Sequence, residues 1–318
     1  MRRPSPSPNR RTARQRLLRE ALRCGGVAPR LLYETPAQAL KWLAVHRRWS
    51  PAIAARGRRF YRAALEEIAR AFPGATRVVS LGCGNGAKDL LLLRALRRLE
   101  GRVEYVPCDA GAELVARAAS LCRKEAEGGC RPMVADLARV RILARRLAAL
   151  PPSDGQRIVL FLGMLPSLEP TDARRILQAI LHPGDALVVS ANLLPPGTCA
   201  ARRVMAQYDN RETRAWLLEL PRALGWPSHA KALRFRWGRD PEWRGLRRIE
   251  GRYRAEGAPR LLLFASRRHT PTRLRAFLRT LDVRTTGLRL TEGRDEGIAW
   301  GIAACGVHSS GSGASGRR

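Results

Sequence analysis

Val78-Val79-Ser80-Leu81-Gly82-Cys83-Gly84-Asn85-Gly86-Ala87-Lys88-Asp89 is the stretch whose reading decides the fold. Its apolar start reads as a buried strand, its three alternating glycines as a tight turn, and the leucine-rich run from Leu90 to Leu99 as the following helix. A second strand, Val103 to Cys108, ends on Asp109. Strand, glycine turn, helix, strand, acid is the layout by which a Rossmann-like sheet holds an adenosine-bearing ligand. The turn passes under the ligand where side chains do not fit, and the acid accepts hydrogen bonds from the ribose hydroxyls. A strand-to-helix turn without a ligand needs neither three glycines nor a placed acid.

Spacing separates the candidate ligands. A dinucleotide site has G-x-G-x-x-G, whereas here Gly82, Gly84 and Gly86 alternate and the third glycine arrives one residue early. No G-x-x-x-x-G-K-[ST] is present, which argues against a nucleoside triphosphate loop. G-x-G-x-G after an apolar strand is similar to the turn of S-adenosylmethionine (SAM)-dependent methyltransferases, and SAM is the expected cofactor.

Outward from this turn, strands over 77–82, 103–109, 131–136, 157–163 and 186–192 alternate with helices over 89–99, 111–124, 140–150 and 171–181. Short apolar strands alternating with helices predict a parallel sheet covered on both faces. The expected architecture is therefore an α/β class I methyltransferase fold, Rossmann-like, with a mostly parallel seven-stranded sheet. The expected organisation is a basic disordered tail over 1–15, a helical region over 16–72 and the SAM-binding core over 73–194. An inserted α+β substrate module follows over 195–270, with helices over 200–208 and 211–224 and strands over 232–237, 246–254 and 260–266. A helix and hairpin over 271–306 complete the core sheet, and a Ser/Gly-rich tail over 307–318 reads as disordered.

The formal charge of +32 invites a nucleic-acid reading. Only four of the 59 basic residues are lysine, and the arginines are scattered without interleaved aromatics. This pattern fits a GC-rich coding sequence better than a stacking surface for RNA, so specific nucleic-acid binding is not expected. Seven cysteines form no C-x-x-C pair and leave an odd count. No metal is expected, and a reducing cytoplasm fits best. No apolar run is long enough to span a bilayer. A monomer acting on a small molecule is the expected state.

The stretches at 80–93 (SLGCGNGAKDLLLL), 103–114 (VEYVPCDAGAEL), 157–170 (RIVLFLGMLPSLEP), 181–194 (LHPGDALVVSANLL), 206–210 (AQYDN) and 248–255 (RIEGRYRA) carry a specific likeness. Together they resemble the histidine-specific SAM-dependent methyltransferases of ergothioneine biosynthesis, which methylate the α-amino group of histidine. The likeness runs in order over about residues 30–305. It implies that Gly82, Gly84, Lys88 and Gly163 lie along SAM, that Asp109 holds the ribose, and that Asp136 faces the adenine amino group. It further implies that Tyr33 and Tyr208 grip the acceptor carboxylate. For Lys88 a solvated helix-start lysine is the competing reading, and for the tyrosines ordinary half-buried packing.

The acceptor side departs from the family. Where family members carry Gly-Asn after F-L-G, this chain has the shorter Met164-Leu165-Pro166-Ser167, and Ser167 is the nearest polar substitute. The family reads imidazole with a glutamate and a serine two residues later; these positions fall on Phe264 and Ser266. The apolar residue, usually methionine, after Arg-Ile-Glu falls on Gly251. A pocket that loses the partner of the imidazole N–H loses its preference for that group. The expected acceptor is the amino group of an amino acid or related small amine other than histidine, with Tyr208, Ser167 and the backbone around Gly163 as candidates for assisting proton removal. An RNA or protein methyltransferase, which the charge alone supports and which would lack the Asp/Asn-Pro-Pro-Tyr loop of many base-amine enzymes, and a non-catalytic SAM-binding homologue are the alternatives.

Overall fold

The computed structural model describes residues 15, 18–50, 55–152 and 155–304. The expectations for the two tails, and for a helix start at 51–54, lie outside the described residues apart from Gln15.

The strands in chain order are β1 (Ala75–Leu81), β2 (Glu104–Asp109), β3 (Gly129–Cys130), β4 (Met133–Val134), β5 (Gln156–Leu162), β6 (Ala186–Asn192), β7 (Leu233–Arg239), β8 (Arg247–Tyr253), β9 (Leu261–Arg268), β10 (Val283–Leu290) and β11 (Glu296–Ala303). The main sheet runs β10-β11-β6-β5-β1-β2-β3, with β4 also on β2. β6, β5, β1, β2, β3 and β4 are mutually parallel, while β11 is antiparallel to β6 and β10 to β11. The chain leaves β1 for β2 on one side and returns to β5 on the other. That reversal opens a crevice at the carboxyl ends of β1 and β5, the place where open α/β sheets bind ligands.

The strands read almost as they lie. One differs: of the strand expected over 131–136 only β4 (Met133–Val134) forms, and a second short piece, β3, precedes it at Gly129–Cys130. Pro132 stands between them and has no N–H to give the ladder. The helix expected over 211–224 likewise divides at Leu218 into Arg211–Leu217 and Glu219–Ala223. Pro221 cannot donate to the Leu217 carbonyl and clashes with it.

Each sheet face is covered by its own apolar layer. Val79, Leu81, Phe161 and Val189 pack under helices Pro170–Gln178 and Pro271–Arg279. Val78, Leu160, Val188 and Trp300 pack under helices Ala55–Ala71 and Ala87–Arg97. A third cluster joins the N-terminal segment to the small β7-β8-β9 sheet through Leu31, Leu32, Trp216, Leu217, Leu233 and Leu263. Trp216 Nε1 donates to the Leu32 carbonyl at 3.1 Å, and Trp49 Nε1 donates to Glu212 at 2.9 Å. Helix Pro36–Trp49 is started by a capping box, in which Thr35 accepts from the Gln38 N–H and Gln38 answers to the Thr35 N–H. These contacts hold the N-terminal helix and the inserted sheet together as a roof over the crevice. No helix among the described residues is long and apolar enough to cross a membrane.

Candidate active site

Under this roof lies a cavity of about 330 Å³, within the range of small-molecule sites. Its lining brings together eleven of the twelve residues singled out from the sequence: Tyr33, Gly82, Gly84, Lys88, Asp109, Asp136, Gly163, Ser167, Tyr208, Phe264 and Ser266. Gly251 is the exception. A Cβ there would meet Leu217 Cδ1 at 3.1 Å and Phe235 Cε1 at 3.3 Å, so the position belongs to the packing of the small sheet and does not widen the cavity.

The glycine turn forms one wall. Gly82 and Gly84 have φ of 70° and 54°, where a side chain is strained. A Cβ on Gly84 would lie 2.9 Å from the Trp42 ring, and one on Gly82 would collide with the Met164 side chain. Asp109, at the end of β2, ties the turn down: Oδ2 accepts the Gly84 N–H at 3.1 Å and Oδ1 the Gly111 N–H at 3.0 Å. Burial raises its carboxyl pKa, and these backbone donors oppose the rise. One lone-pair direction on each oxygen remains for a diol. Asp136 accepts from the Ala138 N–H at 3.1 Å and from Arg30 Nη1 at 2.9 Å, which ties the N-terminal segment of the roof to the sheet's side of the cavity.

Lys88 is not a solvated helix-start lysine. Its ammonium stands 4.6 Å over the Tyr61 ring, inside the cavity, and burial lowers its pKa against the opposing pull of Glu296 and Asp89. Cys83 and Cys108 are buried, and burial raises both thiol pKa values, that of Cys108 to about 12. Neither is poised as a nucleophile.

The opposite wall is aromatic. Phe264 packs on Tyr208 (ring centroids 5.5 Å) and edge-on against Trp216 (5.7 Å). Tyr33 meets Trp42 at 5.9 Å and Trp216 at 5.4 Å, and burial, then Asp109 and Tyr208, raise its hydroxyl pKa. The polar atoms in this wall form one group: the Tyr208 hydroxyl lies 2.9 Å from Ser266 Oγ, and Asn192 Nδ2 donates to Tyr208 at 3.2 Å. Ser167 lies in the short 3₁₀ turn Leu165–Ser167 on the cavity rim.

Among the lining residues that escaped the sequence reading are Trp42, His46, Asn192, Trp216 and Glu296. His46 is kept neutral, its pKa lowered to about 4 by burial and then by Lys88. The only local signals for the others were an amide closing an apolar strand and an acid opening one.

The strand order, the glycine turn closed by Asp109 and the cavity beside it define a class I SAM-dependent methyltransferase. A family model described as histidine-specific methyltransferase, SAM-dependent, matches residues 59–224, just over half of the chain, and the chain belongs to that family. The matched span holds Gly82, Gly84, Lys88, Asp109, Asp136, Gly163, Ser167 and Tyr208; it ends before Gly251, Phe264 and Ser266 and begins after Tyr33. No curated protein matches the chain. Solved structures similar in fold include a Burkholderia thailandensis 1,6-didemethyltoxoflavin-N1-methyltransferase with bound S-adenosylhomocysteine (12% identity, TM-score 0.43, covering 96% of this chain and 94% of that one). A SAM-dependent methyltransferase from Methanosarcina mazei (14%, 0.45, 76% and 98%) is another. A third comes from Clostridium acetobutylicum (10%, 0.44, 84% and 99%).

The cavity suits SAM on its own chemistry: a cradle that a Cβ would fill, a half-buried carboxylate with lone pairs to spare, and a cation without an ion-pair partner among the described residues.

Proposed function

We propose that this methyltransferase acts on the amino group of an amino acid or related small amine other than histidine, one with an apolar side chain. The observation that carries the reading is Phe264, in ring contact with Tyr208 and Trp216 where the family resemblance places the carboxylate that reads imidazole. An apolar wall there gives an imidazole N–H no partner, and an unpaired buried donor is disfavoured by about 1–3 kcal/mol.

When bound, SAM supplies a methyl group carried on a positively charged sulfur. The remaining work is positioning, together with presentation of the amine with its lone pair free. An amino acid's α-amine is mostly protonated near neutral pH, so a nearby acceptor must help the proton leave. Tyr208 Oη, supported by Asn192 and Ser266, and Ser167 Oγ are the side-chain atoms assigned to that task. Asn192 also restores a carboxamide to a site whose F-L-G segment lacks the family's asparagine. Tyr33, with Trp42 and Trp216 each packed against its ring, excludes water on the far side.

The reading is tested by following S-adenosylhomocysteine formation with single amino acids. Faster turnover of apolar or aromatic amino acids than of histidine is expected. Appreciable trimethylation of histidine contradicts it.

A further inference from the structure

The cavity floor beneath helix Ala55–Ala71 carries a cation and an anion that do not pair with each other. Lys88 Nζ stands over the Tyr61 ring and has no ion-pair partner among the described residues. Glu296, the first residue of β11, is 4% exposed and lines the same cavity. Its Oε1 accepts the Tyr61 hydroxyl, while its Oε2 is buried with no hydrogen-bond partner among the described residues. Tyr61 therefore separates the two charges and holds one of them in place. An unpaired buried carboxylate is unfavourable unless a ligand completes it. A group bearing a carboxylate and an ammonium a few bonds apart completes both sites together.

We infer that Glu296 is the ammonium-binding half of a clamp for the zwitterionic amino-acid end of the cofactor, with Lys88 as the carboxylate-binding half. This rests on SAM occupying the cavity. Two features favour the cofactor over the acceptor as the zwitterion. Lys88 follows directly on the glycine turn, and its Nζ lies 3.5 Å from where a Gly163 side chain would begin, so the glycine leaves the ammonium open to the cavity. The acceptor's amine, moreover, must lose a proton to react, and a buried carboxylate held against it would keep that proton on. The cofactor's own amine has no such requirement. Glu296 is thus a positioning residue: it fixes the methionine end and, through it, the sulfur.

The test measures binding by calorimetry on the purified full chain, using S-adenosylhomocysteine and its des-amino analogue, which lacks only the α-amine. The wild-type protein is expected to bind S-adenosylhomocysteine at least about tenfold more tightly than the analogue, as one charge-assisted contact implies. In Glu296→Gln, which keeps the shape and the Tyr61 contact, that preference should fall to within about twofold, while affinity for 5′-methylthioadenosine, which lacks the whole amino-acid end, stays unchanged. A wild-type protein that binds S-adenosylhomocysteine and its des-amino analogue equally overturns the clamp, and needs no variant to fold. So does a Glu296→Gln protein that keeps the preference, or one that loses all three ligands together, which marks Glu296 as structural. Wild-type protein that binds none of the three overturns the cofactor assignment itself, and the clamp with it.

Discussion

Asp109→Ala removes the carboxylate at the end of β2. Each of its oxygens already accepts one backbone N–H, from Gly84 at 3.1 Å and Gly111 at 3.0 Å. Each keeps a lone-pair direction for one ribose hydroxyl. Two hydrogen bonds to a charged acceptor contribute about 1.5–3 kcal/mol each, so the variant should lose about 3–6 kcal/mol of binding, or about 10²–10⁴-fold in Kd. The freed Gly84 N–H loosens the turn and adds to the loss. Calorimetry with S-adenosylhomocysteine reads the affinity, and a thermal melt of the same sample shows whether the fold survives, with about 1–3 kcal/mol of destabilisation expected from the two lost backbone contacts. A folded variant whose Kd stays within about threefold of wild type would refute the ribose assignment.

Phe264→Glu should raise turnover of histidine relative to apolar amino acids by about tenfold or more, since it returns a carboxylate to face an imidazole N–H; competition assays with paired acceptors read the ratio, and an unchanged ratio removes Phe264 from the specificity wall. Gly251→Ala should leave acceptor preference unchanged and move stability by about 1 kcal/mol or less, the strain of its Leu217 and Phe235 contacts opposing the entropy gained over glycine; urea denaturation and product profiles check both halves. For pH, burial lowers His269 to about 4, with Arg267 and Arg273 adding to the effect. Between about 6.5 and 4 the unfolded chain binds the extra proton, so this histidine's contribution to stability is present above about pH 6.5 and is lost as the pH falls. Raised carboxyls such as Asp109 and Glu296 run the other way, so the difference between proteins is the readout: His269→Gln should show a shallower loss of urea midpoint over that window, and an identical slope contradicts the assignment.

The glycine-turn side of the cavity was legible because its parts are local. A glycine turn, the helix after it and an acid closing the next strand lie within about thirty residues, and the period of apolar residues fixes which are buried. The aromatic side was not, because it is assembled across the chain. Trp42 comes from the N-terminal helix, Trp216 and Tyr208 from the inserted helices, and Phe264 from β9. No local pattern announces that these rings meet. Glu296 was hidden for a related reason: β11 is the last of the described strands but lies between β6 and β10, which carries its first residue to the crevice opposite Asn192. Gly251 was placed at the pocket by analogy of position, whereas the direction of its missing side chain, into Leu217 and Phe235, is a property of the three-stranded sheet. Pro132 and Pro221 were visible in the sequence, and their effect on strand and helix continuity followed from the missing N–H.

The most direct test of the account is to incubate the purified protein with methyl-labelled SAM and a pool of amino acids and small amines, then identify the labelled product by mass. The account predicts label on the amino nitrogen of an acceptor with an apolar side chain, and none on histidine. Label on histidine, or on an oxygen or carbon atom of the acceptor, would contradict it.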